Sequence, residues 1–238
     1  MNPESYEEAG KIFSGIKRAA KKTKNIKVVV CPPIIYLGKL KADKQVLLGA
    51  QDLFWKDKGP FTGEISPAMV RNSGGSYAII GHSERRAEGE TDDNIARKVF
   101  ASVSNDICPI LCIGEKERDA NGEYLEFLKN QIKNGLARIS GPAVYNLIIA
   151  YEPVFAIGRS FNNALKPNEV HEMSIFIKKI LSETFDKEAA FAVPILYGGS
   201  VDFENASGIV NEGEIDGLLV GRESLDPEHF KGIIEAIR

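Results

Sequence analysis

The amino-acid sequence predicts an α/β fold, a (β/α)8 barrel in which the first β-strand is missing. Apolar runs of strand length alternate strictly with amphipathic segments along the whole chain, which indicates parallel strands joined by crossover helices. The runs are apolar throughout, as expected for strands covered on both faces. No linker or low-complexity stretch interrupts the alternation, so residues 1–238 are predicted to form a single domain.

Seven strands and eight helices are predicted, and a helix comes first. That helix is indicated by apolar residues at three- and four-residue spacing, with Asn2 as its cap and Pro3 in its first turn. The strands are predicted at 26–31, 46–50, 76–81, 107–112, 145–151, 193–197 and 215–220. The helices are predicted at 4–22, 35–42, 66–72, 92–104, 122–139, 167–185, 203–211 and from 226 onwards.

A closed barrel of this kind has eight strands, each of which precedes a helix. Because a helix comes first here, the missing strand is the one expected before residue 1, and strands 26–31 and 215–220 would flank a gap with unpaired backbone groups. An open, doubly wound sheet is the alternative architecture. No Gly-x-Gly-x-x-Gly follows the first strand, which disfavours that alternative.

Composition excludes several functions. The net charge of −3 gives no basic surface for nucleic acid, and no apolar run approaches the ~20 residues of a membrane helix. Of three cysteines, Cys108 and Cys112 share a predicted strand, which puts their Cα atoms about 13 Å apart, too far for a disulfide. With no histidine near them a zinc site is not expected, and reduced cysteines indicate a cytoplasmic protein.

The stretch 145–158 carries the first candidate for catalysis. Its apolar run ends at Glu152, and Pro153 restrains the backbone directly behind this carboxylate. The C-terminal mouth of a parallel strand is where an α/β barrel keeps its chemistry. Taken alone, Glu152 could equally be a solvated residue at a strand end, and an isolated His82 is more often structural.

Eight short motifs are spread over essentially the whole chain. They are Val30-Cys-Pro-Pro33, Gly49-Ala-Gln51, Phe61-Thr-Gly-Glu64, Ile80-Gly-His-Ser-Glu-Arg-Arg86, Leu111-Cys-Ile-Gly-Glu115, Ala150-Tyr-Glu-Pro-Val-Phe-Ala-Ile-Gly158, Tyr197-Gly-Gly-Ser-Val201 and Gly217-Leu-Leu-Val-Gly221. All eight closely resemble motifs of the triosephosphate isomerase family, whose fold is the TIM barrel, and they occur in the family's order, so together they are very specific.

The resemblance implies the interconversion of dihydroxyacetone phosphate and glyceraldehyde 3-phosphate, without cofactor or metal. Glu152 is implied as the base that moves a proton between two carbons, and His82 as the neutral electrophile that polarises the carbonyl. The substrate phosphate is implied to bind backbone N–H groups of Gly158, Ser200, Gly221 and Arg222. Supporting residues are Glu84 near the catalytic cation, Glu115 below the following loop, Cys112 packed beside the base, and Thr62.

The chain also departs from the family pattern. The family's opening strand ends in Asn-x-Lys-Met-Asn, of which Met1-Asn2 matches only the last two residues, so the substrate-binding lysine is expected to be missing. Arg222 stands where a glycine is usual, Phe155 replaces a tryptophan, and the lid at 158–164 is altered. The loop 52–63 resembles the family's dimer loop, so a homodimer is expected, weakened or altered by the missing strand.

Three hypotheses follow for function. The first is a triosephosphate isomerase that is poorly active as given, with Met1 interpreted as an internal methionine of a longer chain. The second is a barrel that binds phosphorylated ligands without turnover. The third is an isomerase of a longer ketose phosphate, permitted by the altered lid.

Overall fold

The computed structural model describes residues 2–21, 23, 25–156 and 164–238. These residues form one parallel sheet of seven strands, in which each strand pairs with the next one along the chain. The strands are β1 (Val28–Val30), β2 (Val46–Ala50), β3 (Tyr77–Ile80), β4 (Cys108–Ile113), β5 (Ile148–Tyr151), β6 (Ile195–Tyr197) and β7 (Gly217–Leu218). The prediction of seven parallel strands is confirmed.

The eight predicted helices are present, and two short helices are added to them. The ten α-helices of the described residues are α1 (Tyr6–Ala20), α2 (Ile34–Leu37), α3 (Pro67–Asn72), α4 (Ser83–Ala87), α5 (Asp92–Ser104), α6 (Glu123–Gly135), α7 (Pro167–Thr184), α8 (Lys187–Ala192), α9 (Ala206–Asn211) and α10 (Pro227–Ala236). The additional helices are α4 and α8. Each is nucleated by a side-chain cap that periodicity does not reveal: His82 accepts from the N–H of Glu84, and Asp186 from that of Ala189.

Some predicted boundaries are wrong because apolar spacing continues beyond the helix itself. Helix α6 ends at Gly135, four residues before the predicted end. Beyond it, Leu136 and Ile139 are buried on the core in a turn: the N–H of Leu136 still donates to the carbonyl of Ile132, whereas that of Ile139 donates only three residues back, to Leu136. Helix α9 begins at Ala206 because the carboxylate of Asp202 accepts the N–H groups of Glu204 and Asn205, which forms a turn at the predicted start.

The ends of the sheet differ from its middle. No described residue pairs with the outer edge of β1 or of β7. The helices outside the sheet nevertheless cover the space between β1 and β7. Helix α1 packs on α10 so tightly that a side chain at Gly15 would overlap Pro227. The fold is therefore a curled sheet of seven strands, with the helix layer continuous where the strand layer is open.

No helix of the described part of the chain is long and apolar enough to cross a membrane.

Candidate active site

Glu152 directly follows β5 and is buried, with 2% of its surface exposed. Two glycines on neighbouring strands make room for it. A Cβ at Gly114 would overlap the carbonyl oxygen of Glu152, and one at Gly198 would lie 2.7 Å from its Cγ. The backbone N–H of Glu152 donates to the carbonyl of Ile113 at 2.7 Å, so the residue stays in register with β4 beyond the last strand pair. The expected carboxylate at a strand end is thus enclosed, not solvated.

His82 lies at the end of β3 and faces this carboxylate. Its Nε2 is 3.2 Å from Oε1 of Glu152. Its Nδ1 accepts the backbone N–H of Glu84 at 3.3 Å, in the first turn of α4. Because Nδ1 accepts an N–H, it needs a free lone pair, so in the neutral imidazole the proton lies on Nε2, where it can be donated to Oε1 of Glu152. The hydrogen bonds therefore fit a neutral imidazole that presents an N–H donor to the site.

The pKa of His82 reflects two opposed influences. Burial lowers it, but the hydrogen bond to Glu152 and the negative charges of Glu152 and Glu84 outweigh burial, so the pKa lies above its usual value. A second proton on Nδ1 would displace the N–H of Glu84. We expect the pKa to fall when Glu152 turns away from the imidazole, because burial then dominates.

The second oxygen of Glu152 is also engaged. Oε2 accepts the backbone N–H of Ser83 at 3.3 Å. Cys112 is fully buried, and burial, followed by the charge of Glu152 and a hydrogen bond with it, raises the pKa of the Cys112 thiol well above its usual range. Cys112 thus stays protonated, and its packing role beside the base stays a prediction.

Below the pair, Glu115 anchors a buried polar network. Its Oε1 accepts from the hydroxyl of Tyr151 at 2.8 Å and from Nε of Arg118 at 2.9 Å, while its Oε2 is buried without a hydrogen bond. Arg118 also reaches Glu169 at 3.4 Å and lies 5.4 Å from the ring of Phe155. Glu115 therefore connects β4 and β5, through Arg118, to the start of α7, and its role as loop support stays a prediction.

The remaining predicted site residues are dispersed around the same end of the sheet. The hydroxyl of Ser200 donates to the carbonyl of Ala156 at 2.9 Å. Gly221 and Arg222 are exposed at the start of the 3-10 helix Arg222–Leu225, which follows β7. Gly158 and the lid at 158–163 lie outside the described residues.

Glu84 and Thr62, the two other supporting residues that were predicted, are both exposed. Glu84 is 75% exposed, and its carboxylate approaches Nδ1 of His82 at 3.9 Å. In the described part of the chain no lysine or arginine forms an ion pair with Glu84. Thr62 is exposed on the loop 52–63.

Sequence reasoning missed the groups that hold the pair from the backbone. They are the N–H of Ser83, the close approaches at Gly114 and Gly198, and the side chain of Arg86, which lines a cavity of about 10 Å³ beside Glu152. The glycines directly after β4 and β6 were a usable signal, because a glycine at a strand end often marks close backbone approach. A larger depression of about 440 Å³ lies along α1, on a different element from the pair.

Among the described residues there is no cluster of three or more histidine, cysteine, aspartate or glutamate side chains with the geometry to hold a metal ion.

Fold and site together define an α/β-barrel enzyme of the acid–base class, with a carboxylate and an imidazole at the C-terminal ends of parallel strands. The family model described as triosephosphate isomerase matches residues 1–237. A triosephosphate isomerase of Geobacter metallireducens is 42% identical over 90% of this chain and 86% of its own length. One of Dictyoglomus turgidum is 39% identical over 96% and 93%, and one of Endomicrobium trichonymphae is 41% identical over 96% and 92%.

The chain therefore belongs to the triosephosphate isomerase family. This confirms the family indicated by the motifs, the α/β-barrel fold and the prediction of an isomerase.

Proposed function

We propose that this chain interconverts dihydroxyacetone phosphate and glyceraldehyde 3-phosphate by moving a proton between adjacent carbons. The observation that carries the proposal is the contact of 3.2 Å between Nε2 of His82 and Oε1 of Glu152, on strand ends of a protein in this family. A proton next to a carbonyl is weakly acidic. Removing it needs a base and, at the same moment, a donor to the oxygen that becomes negative.

Glu152 serves as the base. It takes the proton from one carbon and, as the resulting acid, returns it to the neighbouring carbon, while the hydroxyl proton of the enediolate moves from one oxygen to the other, so that no net proton is gained or lost. The N–H of His82 Nε2 donates to the substrate oxygen on which the enediolate charge develops. A neutral imidazole can fill this role because its Nε2–H donates to the developing negative charge while Nδ1 keeps the hydrogen bond from the N–H of Glu84.

The substrate needs a rearrangement before it can react. His82 and Glu152 contact each other directly, and the cavity beside Glu152 measures only about 10 Å³. A triose phosphate can lie between them only after the Glu152 carboxylate leaves both His82 and the N–H of Ser83. We expect substrate binding to exchange these two hydrogen bonds for contacts with the reacting carbons.

The phosphate is proposed to bind the N–H groups of Ser200, Gly221 and Arg222, together with Gly158. A Cβ added to Gly221 would meet no other atom within 4 Å, so the backbone there is open to an approaching anion. The guanidinium of Arg222 adds a positive charge at this end of the sheet, where guanidinium groups suit the paired oxygens of phosphate.

Coupled assays of the Glu152→Gln and His82→Gln variants test the proposal in both directions of the reaction. Loss of the base is expected to lower kcat by roughly 10³- to 10⁴-fold, and loss of the donor by roughly 10²- to 10³-fold. The matched control is His229→Gln, because His229 is exposed on α10 beside Glu223. Turnover that survives Glu152→Gln undiminished would refute the assignment.

Binding without turnover is the second candidate. It is favoured by the absence, among the described residues, of a cation paired with Glu84, and by the open edges of β1 and β7. Melting curves with a phosphorylated enediolate analogue separate the two functions: a raised Tm with no detectable isomerisation in the assay supports binding alone.

A panel of longer ketose phosphates in the same assay tests the third possibility, a change of substrate.

A cytoplasmic homodimer is proposed as the working form. The loop 52–63 presents an aromatic cluster, in which the ring of Phe54 lies 4.0 Å from that of Trp55 and 4.8 Å from that of Phe61. Phe61 and Met69 are exposed, as expected of a surface that a second subunit covers. Sedimentation of the chain with and without Phe61→Ser tests this assembly.

The three free cysteines fit a reducing compartment.

A further inference from the structure

The guanidinium of Arg86 lies behind the catalytic pair and bonds to three different parts of the chain. Nε donates to the carbonyl of Gly81 at 2.7 Å, Nη2 to the carbonyl of Cys112 at 3.2 Å, and Nη1 to Oδ1 of Asp92 at 2.8 Å. Its side chain is 16% exposed, so water competes little for these bonds.

The first of these bonds acts on His82 through the backbone. The carbonyl of Gly81 and the nitrogen of His82 belong to the same planar peptide group. Gly81 has a φ of +72°, a left-handed conformation that residues other than glycine rarely adopt. The turn between β3 and His82 therefore depends on Gly81 itself as well as on the strand before it. Fixing the carbonyl of Gly81 therefore fixes the direction in which the chain enters His82.

The second bond acts on Glu152. The carbonyl of Cys112 precedes Ile113, and the carbonyl of Ile113 accepts the backbone N–H of Glu152 at 2.7 Å. Arg86 thus holds the end of β4 at the position from which Glu152 is hydrogen-bonded. One planar side chain connects the backbone of the imidazole to the backbone that carries the carboxylate.

Asp92 orients this side chain. Its Oδ1 accepts from Arg86, and its Oδ2 accepts from Nδ2 of Asn134 at 3.2 Å, so the carboxylate is held on both oxygens. Three donors in one plane at fixed angles are a property of guanidinium. An ammonium group could keep the charge opposite Asp92 but could not span both carbonyls in this geometry.

We propose that Arg86 is a positioning residue for the isomerisation, which sets the separation of His82 and Glu152 by clamping the carbonyls of Gly81 and Cys112. The inference rests on the proposed function for its kinetic consequence. It predicts that loss of the Arg86 guanidinium changes the relative positions of His82 and Glu152 and lowers kcat. The affinity for the phosphate end of the substrate is expected to change little.

The test compares Arg86→Lys and Arg86→Met with Arg85→Lys and Arg85→Met. Arg85 is a matched control because it lies on the same helix, is 52% exposed, and pairs with Asp52 at 3.3 Å instead of a backbone carbonyl. Both Arg86 variants are expected to lose roughly 10- to 100-fold in kcat, with KM within roughly threefold of the parent. Both Arg85 variants are expected to keep the parent kcat.

A second measurement follows the imidazole itself. Nitrogen NMR of the parent is expected to show His82 as the neutral Nε2–H form, assigned by its loss in His82→Gln. The Arg86 variants are expected to shift or mix these signals, and the Arg85 variants to leave them in place. Arg86→Lys keeps a charge opposite Asp92, so it remains measurable should Arg86→Met fail to fold.

Parent-like kcat in the Arg86 variants, or unchanged His82 signals at reduced kcat, would overturn the proposal. If the parent chain shows no isomerisation, the proposed function fails, and the imidazole signals alone decide on the positioning role. A shift in Arg86→Lys but not in Arg85→Lys would then still support the clamp, and identical signals in both would refute it.

Discussion

The middle of the sheet and its two ends are built differently. In the six-residue strand β4 every residue after the first is buried, and it pairs with both β3 and β5. By contrast, β7 has only two residues, both half-buried, and β1 has three, of which only Val28 is buried. His82 and Glu152 both follow central strands, whereas Gly221 and Arg222 follow the end strand β7. The proton-transfer pair is thus built on the fully paired part of the sheet, and part of the proposed phosphate site is not.

The difference has a physical cause. A strand paired on both sides and covered on both faces satisfies its backbone groups and buries its side chains together. An end strand leaves one row of N–H and C=O groups without a partner strand, so regular pairing stops after fewer residues.

The largest expected effect comes from pairing the outer edges of β1 and β7, to which no other described strand is hydrogen-bonded. We expect an N-terminal extension that adds an apolar strand ending in lysine to raise kcat by roughly 10²- to 10³-fold, because it supplies a fixed cation to the developing charge. Steady-state kinetics of the extended and parent chains measure this. The control is the same extension with methionine in place of lysine, which is expected to raise Tm without the gain in kcat. Equal, high kcat for all three chains would contradict the prediction.

The next effect concerns the middle of the sheet. Gly114→Ala is expected to destabilise the fold by about 3 kcal/mol or more, because the new methyl group overlaps the backbone of Glu152. The matched substitution is Gly10→Ala in α1, where no atom lies within 4 Å of the new methyl group. There we expect a gain of about 0.5–1 kcal/mol from helix propensity. Urea unfolding measures both, and similar free energies of unfolding would argue against the close approach.

A pair of leucines compares the two regions directly. Leu111→Ala in β4 removes a fully buried side chain and is expected to cost about 2–5 kcal/mol. Leu218→Ala in β7 removes a half-buried one and is expected to cost about 1 kcal/mol. Chemical unfolding of both variants at one temperature is the measurement. A cost at Leu218 as large as that at Leu111 would show that β7 is as well covered as β4.

The smallest effect is a dependence of stability on pH. The pKa of His82 is raised in the folded state, so protonation of His82 stabilises the fold. This contribution is fully present below the unfolded pKa of about 6.5, and it is lost as pH rises through the folded pKa. The stability difference between the parent and His82→Gln should therefore shrink as pH rises above about 6.5. Urea unfolding from pH 5 to 8 tests the sign, and a difference that grows with pH would contradict it.

Much of this architecture was readable from the sequence because it depends on local pattern. Apolar runs placed all seven strands, and Ser66 and Asp226, where two helices were predicted to begin, are confirmed as side-chain caps. The predicted cap Asn2 is wrong, because the side chain of Ser5 caps α1. The motifs around His82 and Glu152 led to the family. What local pattern could not reveal are the contacts between distant segments, such as Ser83 with Glu152 or Arg86 with Cys112, which are separated by 69 and 26 residues.

By itself, the sequence determined the order of strands and helices, the carboxylate at the end of β5, and membership of the triosephosphate isomerase family. The tertiary structure alone decided that imidazole and carboxylate touch, that Nδ1 of His82 accepts the N–H of Glu84 while Nε2 faces Glu152, and that the guanidinium of Arg86 bonds to both backbones. The reason is that periodicity and capping act over a few residues. Distances within a site arise only when separate strands are brought into register by the packed sheet.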